Sequence, residues 1–245
     1  MLGRSVSTWL RLGAAGLLVV VSTLPASAQD EKSWSLEVGY DYSSIYLFRG
    51  VDLLAGEPVH VPRVVFGAGG LSVAYFGYFG DQGEDGPSYE EHDFSVDYTF
   101  ALGDKMELTL GALTYQYPDE TSGIDTYEVY AIAAFDIPLN PSIAFNYDLD
   151  AFDGGYAVVS IGHGVPLGSR ASMDFSLGYG IDFGYNDVDS SGASNDLLLG
   201  VDLPLQITDR FSLHAGYLRS VALDSLDTLG QGDEDVVTVG GAFSF

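Results

Sequence analysis

The chain has 245 residues and a formal net charge of −26, with 35 Asp and Glu against 9 Lys and Arg. That balance argues against a nucleic-acid partner, because phosphates are held by basic patches. The absence of Cys excludes disulfides, thiolate metal sites and cysteine nucleophiles. Hydrophobic residues make up 47% of the chain, too many for a disordered polyanion.

Residues 1–28 read as a secretory signal peptide. Arg4 and Arg11 are the only charges, the run Leu12 to Val21 is apolar, and the segment ends in the small-x-small pattern Ala26-Ser27-Ala28. The run is shorter than the ~20 apolar residues of a spanning helix. Cleavage removes two of the nine basic residues and no acid, which leaves 7 basic and 35 acidic residues, net −28. In the mature part, 29–245, Gly, Asp, Ser or Pro interrupts every apolar stretch. A membrane-spanning form must therefore be a closed barrel.

The mature chain has period two. Twelve strands are expected, at about 33–43, 57–67, 70–80, 91–101, 105–117, 124–137, 141–149, 154–165, 170–184, 194–205, 210–220 and 235–245. The first puts Trp34, Leu36, Val38, Tyr40 and Tyr42 on one face. In the fourth, Phe94, Val96, Tyr98 and Phe100 alternate with Asp93, Ser95, Asp97 and Thr99. In the ninth, Met173, Phe175, Leu177, Tyr179 and Ile181 alternate with Asp174, Ser176, Gly178, Gly180 and Asp182. Strands of this length suit a tilted bilayer crossing. The segments 57–67 and 154–165 alternate less regularly.

The links alternate in length. Gly67–Gly70, Leu102–Asp104, Pro138–Asn140, Pro166–Ser169 and Gln206–Asp209 are short, whereas Ser44–Gly56, Asp81–Glu90, Tyr185–Ala193 and Val221–Glu234 are longer and mostly acidic. Short turns on one side and long loops on the other are the outer-membrane arrangement, with the long loops extracellular. Trp34 and Phe211 fall near one set of strand ends, and Phe79, Tyr179 and Phe183 near the other, as an aromatic girdle requires. The expected fold class is all-β: a transmembrane, antiparallel, up-and-down β-barrel of about twelve strands. A soluble β-sandwich is the competing reading, but its water-facing side accepts Lys and Arg as readily as acids.

With the apolar face toward lipid, the lumen face carries Glu37, Asp41, Asp93, Asp97, Glu107, Glu128, Asp136, Asp148, Asp174, Asp182, Asp196 and Asp202. Arg49 and Arg63 fall at or near the first long loop. Unpaired carboxylates call for a wet interior, which attracts cations and repels anions. The competing reading keeps these acids as solvated or paired structural residues in a narrow bore. The candidates for the lumen and its constriction are Arg49, Asp41, Asp93, Asp97, Glu128, Asp174, Asp182 and Asp202. Arg49 offers five donors in an acidic setting, suited to bridging carboxylates such as Asp41 and Asp97. It reads either as a constriction or solute-binding residue, or as a rivet folding the first loop onto the wall. Gly50 allows a bend or a positive φ beside it.

The segment Ser44-Ile45-Tyr46-Leu47-Phe48-Arg49-Gly50 resembles a pattern of the TorF-like family of outer-membrane porins, bacterial barrels of unassigned function. Tyr46, Phe48, Arg49 and Gly50 keep the pattern, while Ile45 replaces its Asp and Val51-Asp52 its Ile-Ser. The resemblance implies a small Gram-negative outer-membrane barrel. The C-terminal Phe245 likewise resembles the signal read by the outer-membrane assembly machinery.

His60, His92, His163 and His214 are isolated on different strands, and no triad, phosphate loop or zinc pattern is present. The expectation is a monomeric, non-enzymatic porin in the cell outer membrane, without metal or cofactor. It would pass small solutes passively and prefer cations. The alternative is a non-conducting structural or adhesion-type barrel. The expected partners are outer-membrane lipid, the assembly machinery, and small solutes or cations.

Overall fold

The computed structural model describes residues 34–82, 86–119 and 122–245. The segment expected to be a signal peptide, 1–28, lies outside the described residues. The elements are β1 (Trp34–Ser43), β2 (Leu47–Phe48), β3 (Val51–Asp52), β4 (Val59–Ala68), β5 (Leu71–Asp81), β6 (Ser88–Ala101) and β7 (Met106–Gln116). They continue with β8 (Thr126–Phe135), β9 (Ser142–Asp148), β10 (Gly155–Pro166), β11 (Ser172–Phe183), β12 (Ala193–Gln206), β13 (Phe211–Ala222), α1 (Asp224–Thr228) and β14 (Glu234–Ser244).

Apart from the β2–β3 hairpin, the strands close into one antiparallel barrel, each paired with its neighbours in sequence. β1 closes the ring against β14, with Asp41 opposite Gly240 and Val38 opposite Phe243. The seam extends to the last residue, where the Phe245 N–H donates to the Leu36 carbonyl at 2.9 Å. All twelve strands expected from the alternation are present, including the two less regular ones.

Sidedness follows the pleat. Val96 is 48% exposed, while Asp93 on the opposite face of β6 is 0% exposed. The same inversion runs round the barrel: Val38, Tyr40, Ile143, Phe175, Leu203 and Val239 stand outward. An apolar exterior around a polar interior is the sidedness of a barrel in lipid, and the reverse of a soluble one. Trp34 stacks on Phe66 and Phe211 on Phe243 at the short-turn end. Phe145 meets Phe183 toward the long-loop end.

One expectation is corrected. Asp136 does not line the lumen. β8 stops at Phe135, and Asp136 is exposed in the turn, its N–H bonded to the Lys105 carbonyl. Pro138 and Pro141, with positive φ at Leu139 and Asn140, end the ladder there. Arg63 falls where the expected strand 57–67 places it. It lies within β4, on the inward face shared with Val59 and Val61, and is buried.

Candidate functional site

The first long loop turns into the barrel. β2 and β3 form a hairpin whose two-residue turn is Arg49-Gly50, with φ of +51° and +84°. Positive φ at both central residues defines the primed turn that suits strand twist. Glycine takes that conformation freely, whereas arginine at the first position costs about 1–2 kcal/mol. A Cβ on Gly50 would also overlap the Leu226 side chain, which α1 lays over the tip.

The Arg49 side chain offsets that strain. Its Nη2 donates to Glu128 Oε2 at 2.7 Å, and both groups are buried. Tyr115 Oη and Asn146 Nδ2 donate to the same carboxylate oxygen. The guanidinium lies 3.8 Å from the Tyr185 ring centroid and 4.8 Å from that of Phe48. The Arg49 carbonyl accepts from the side-chain amides of Asn186 and Asn195, each at 2.9 Å. Burial opposes the Arg49 charge, but Glu128 outweighs it and moves the pKa upward. The guanidinium therefore stays ionised.

Around the hairpin, the inward faces of β5 to β10 are bulky. Tyr46 stacks on Tyr78 at 4.7 Å and meets Tyr89 edge-on. Tyr46 and Tyr89 both donate to Glu91. With Leu54, Leu113, Tyr115, Tyr130, Tyr156 and Val158 they form a buried cluster inside the barrel. Asp93 lies on the same face, two residues from Glu91, and neither of its oxygens has a hydrogen-bond partner among the described residues. Burial of this wall means that the hairpin fills this part of the bore.

The opposite wall, from β11 through β14 and β1 to β4, carries small residues and a row of charges. Arg63 pairs with Asp41 and lies 3.4 Å from Glu37. Asp41 Oδ1 faces His214 Nε2 at 2.9 Å, and His214 Nδ1 faces Asp202 Oδ1 at 3.3 Å. A proton on each ring nitrogen satisfies both carboxylates. Asp174 then stands opposite Asp202 across the β11–β12 pair. These side chains lie flat along the wall because glycine makes room for them. A Cβ on Gly39 would come within 2.6 Å of Arg63 Cζ, and one on Gly240 would overlap Asp41 Oδ1. Glu37, His214, Ser176, Ser212 and Thr238 keep partial solvent access along this side.

The candidate residues therefore fall into four settings. Arg49 and Glu128 join in the plug, with Tyr46, Phe48 and Gly50 around them and Asp93 in the same tyrosine wall. Asp41, Asp174 and Asp202 belong to the charged row. Asp97 accepts from Tyr130 Oη at 2.9 Å. Asp182 is a loop anchor that accepts the backbone N–H groups of Tyr185, Asn186 and Asp187. Arg49 bridges neither Asp41 nor Asp97, the partners expected from the sequence, because the primed turn points it at β8. Arg63 and His214, missing from the candidates, hold the row together. Period two within β4 carried the signal for Arg63, since Val59, Val61 and Arg63 alternate with His60, Pro62 and Val64.

A closed twelve-stranded barrel with an apolar exterior, polar wall and inward loop defines an outer-membrane porin-like fold. Among solved structures the chain is similar to the NanC porin, with a TM-score of 0.57, 14% identity, and coverage of 85% of this chain and 98% of that one. It is also similar to the KdgM porin, with a TM-score of 0.52, 12% identity, and coverage of 86% and 99%. An outer-membrane channel from Pseudomonas putida F1 gives a TM-score of 0.52, 12% identity, and coverage of 90% and 98%. At such identities the likeness is one of fold. No family model and no curated protein matches the chain.

Proposed function

We propose that the chain is an outer-membrane porin, a passive channel for small solutes that prefers cations. The observation carrying this reading is the row of charges along the wall where Glu37, His214, Ser176, Ser212 and Thr238 keep partial solvent access. There four carboxylates, Glu37, Asp41, Asp202 and Asp174, meet two basic side chains among the described residues, Arg63 and His214, so the wall's field is negative. One of the similar barrels, the KdgM porin, has been solved in complex with oligogalacturonate, a polyanion. The acidic wall here favours solutes of the opposite charge. In this reading the barrel sits in outer-membrane lipid as a monomer, the assembly machinery reads Phe245, and no catalysis is assigned. His60, His92 and His163 fit that last point, since their side chains lie on the outward-facing positions of β4, β6 and β10. Kinship with the TorF-like porins rests on Tyr46, Phe48, Arg49 and Gly50 and belongs to the same proposal.

The buried plug supports a second reading, a non-conducting structural or adhesion-type barrel. Planar-bilayer recording of the refolded mature chain separates the two. Stepwise conductance, with a reversal potential in a KCl gradient showing K⁺ favoured over Cl⁻, is the expected result. Silence would leave the structural barrel, and anion selectivity would sink the cation preference.

A further inference from the structure

The charged row alternates in sign from Glu37 through Arg63, Asp41 and His214 to Asp202. It then breaks its own rule, because the next member is Asp174, another carboxylate. The two residues are direct cross-strand partners, Asp174 on β11 and Asp202 on β12. Directly opposed residues on one face have Cβ atoms about 4.5–5.5 Å apart, and like charges there repel. Asp174 is 6% exposed, and neither of its carboxylate oxygens accepts a hydrogen bond of full geometry, the flanking Ser172 hydroxyl being the polar group beside it. Asp202 Oδ2 is in the same condition. Leaving buried carboxylate oxygens without a partner is costly, so a native wall supplies one.

We propose that Asp174 and Asp202 form a binding site for a small, hard divalent cation, the calcium class, on the lumen wall. The chemistry fits in three respects. Four carboxylates in the row face two cations, Arg63 and a doubly protonated His214, which leaves two negative charges uncompensated. The three unpartnered atoms are all carboxylate oxygens, the donors such ions prefer, and Ser172 and Ser176 flank Asp174 on the same face with further oxygens. Glycine makes room for the pair: Gly216 faces Asp202 across the β12–β13 pair, and a Cβ there would come within 3.0 Å of Asp202 Oδ1. Two side chains do not complete a coordination shell, so water supplies the remaining ligands and binding is weak and exchangeable. That suits a station along a permeation path better than a structural metal.

The site deepens the cation-channel reading and rests on it for a role in permeation, though not for binding itself. Two measurements keep them apart. Calorimetric titration of CaCl2 into the refolded mature chain in neutral micelles reads binding alone. The wild-type chain is expected to take up Ca²⁺ at millimolar concentration, and Asp174→Asn to lose one site, with affinity there down roughly tenfold or more. Asp202→Asn is the second variant, with the same expectation should the first not refold. Asp233→Asn, in an exposed long loop, reports Ca²⁺ held by the loops and should leave this site intact. Bilayer recording then reads permeation: millimolar Ca²⁺ should reduce the K⁺ current of wild type more than that of Asp174→Asn. Identical titrations for wild type and both lumen variants would overturn the site, even in a chain that conducts cations. So would a loss of bound protons in Asp174→Asn without any change in Ca²⁺ uptake, which would assign the pair a shared proton. Ca²⁺ uptake lost in the lumen variants of a silent barrel would keep the site and defeat the channel reading.

Discussion

The two walls of this barrel solve the same problem in opposite ways. From β5 to β10 the interior is filled: tyrosines, Leu113 and the inward hairpin exclude water, and Glu91, Asp93 and Glu128 are buried in the packing. From β11 round to β4 the interior is thinned: glycines let Arg63, Asp41 and His214 lie flat, and Glu37 and His214 keep partial solvent access while Arg63, Asp41, Asp174 and Asp202 are buried. On the filled wall two of these carboxylates are stabilised by direct donors, Glu128 by Arg49, Tyr115 and Asn146, and Glu91 by Tyr46 and Tyr89. On the thinned wall alternating charges do this, with Asp41 held between Arg63 and His214. Charge alone therefore does not mark a conducting surface. Glu128 beneath the tyrosines belongs to the plug, whereas Asp41, as deeply buried over glycine, belongs to the charged row.

The sharpest way to break this contrast is Arg49→Met. It leaves Glu128 buried without its cation, and breaking such a pair costs about 3–5 kcal/mol. The hairpin should leave the filled wall. Urea unfolding in micelles should shift to lower denaturant, and single-channel conductance should rise. Adding Glu128→Gln should recover most of the stability, because the uncompensated charge is then gone. Unchanged conductance in a folded Arg49→Met chain would show that the hairpin does not set the bore.

Gly240→Ala tests the thinned wall, with a smaller effect. The new methyl would overlap Asp41 Oδ1 and approach His214 Nε2, and overpacking of this kind costs about 1–3 kcal/mol. The row must shift, so reversal potentials should change along with stability. A loss of stability with no change in selectivity would separate the row from permeation.

The barrel was legible because lipid on one side and polar wall on the other impose period two on every strand, and the expected strands match those observed within a few residues. The plug was less legible. Tyr46 to Gly50 stood out as a motif, and Gly50 as a position open to positive φ, but which wall Arg49 reaches depends on the turn geometry of a hairpin too short for periodicity to mark. The charged row was hidden for another reason. Its contacts run between strands, from Arg63 on β4 to Asp41 on β1 and from Asp41 across Gly240 to His214 on β13, so they depend on register. Alternation within one strand fixes the face a residue occupies and leaves its cross-strand neighbour open.

The smallest effect is expected outside both walls. Arg219 pairs with Asp235 at 2.9 Å and with Asp233 at 2.7 Å, a geometry as good as that of Arg49 with Glu128. All three side chains are exposed at the long-loop end, on the outward side of β13 and β14 and the adjoining loop. Water and salt screen such pairs, and the entropy of fixing long side chains offsets much of what remains. Arg219→Ala should therefore leave the urea midpoint and the selectivity where they are. The same guanidinium–carboxylate contact would then be decisive under the tyrosines and immaterial at the rim, which assigns its weight to the surrounding packing. A shift approaching that of Arg49→Met would overturn this assignment and make contact geometry alone the better guide to what holds the barrel together.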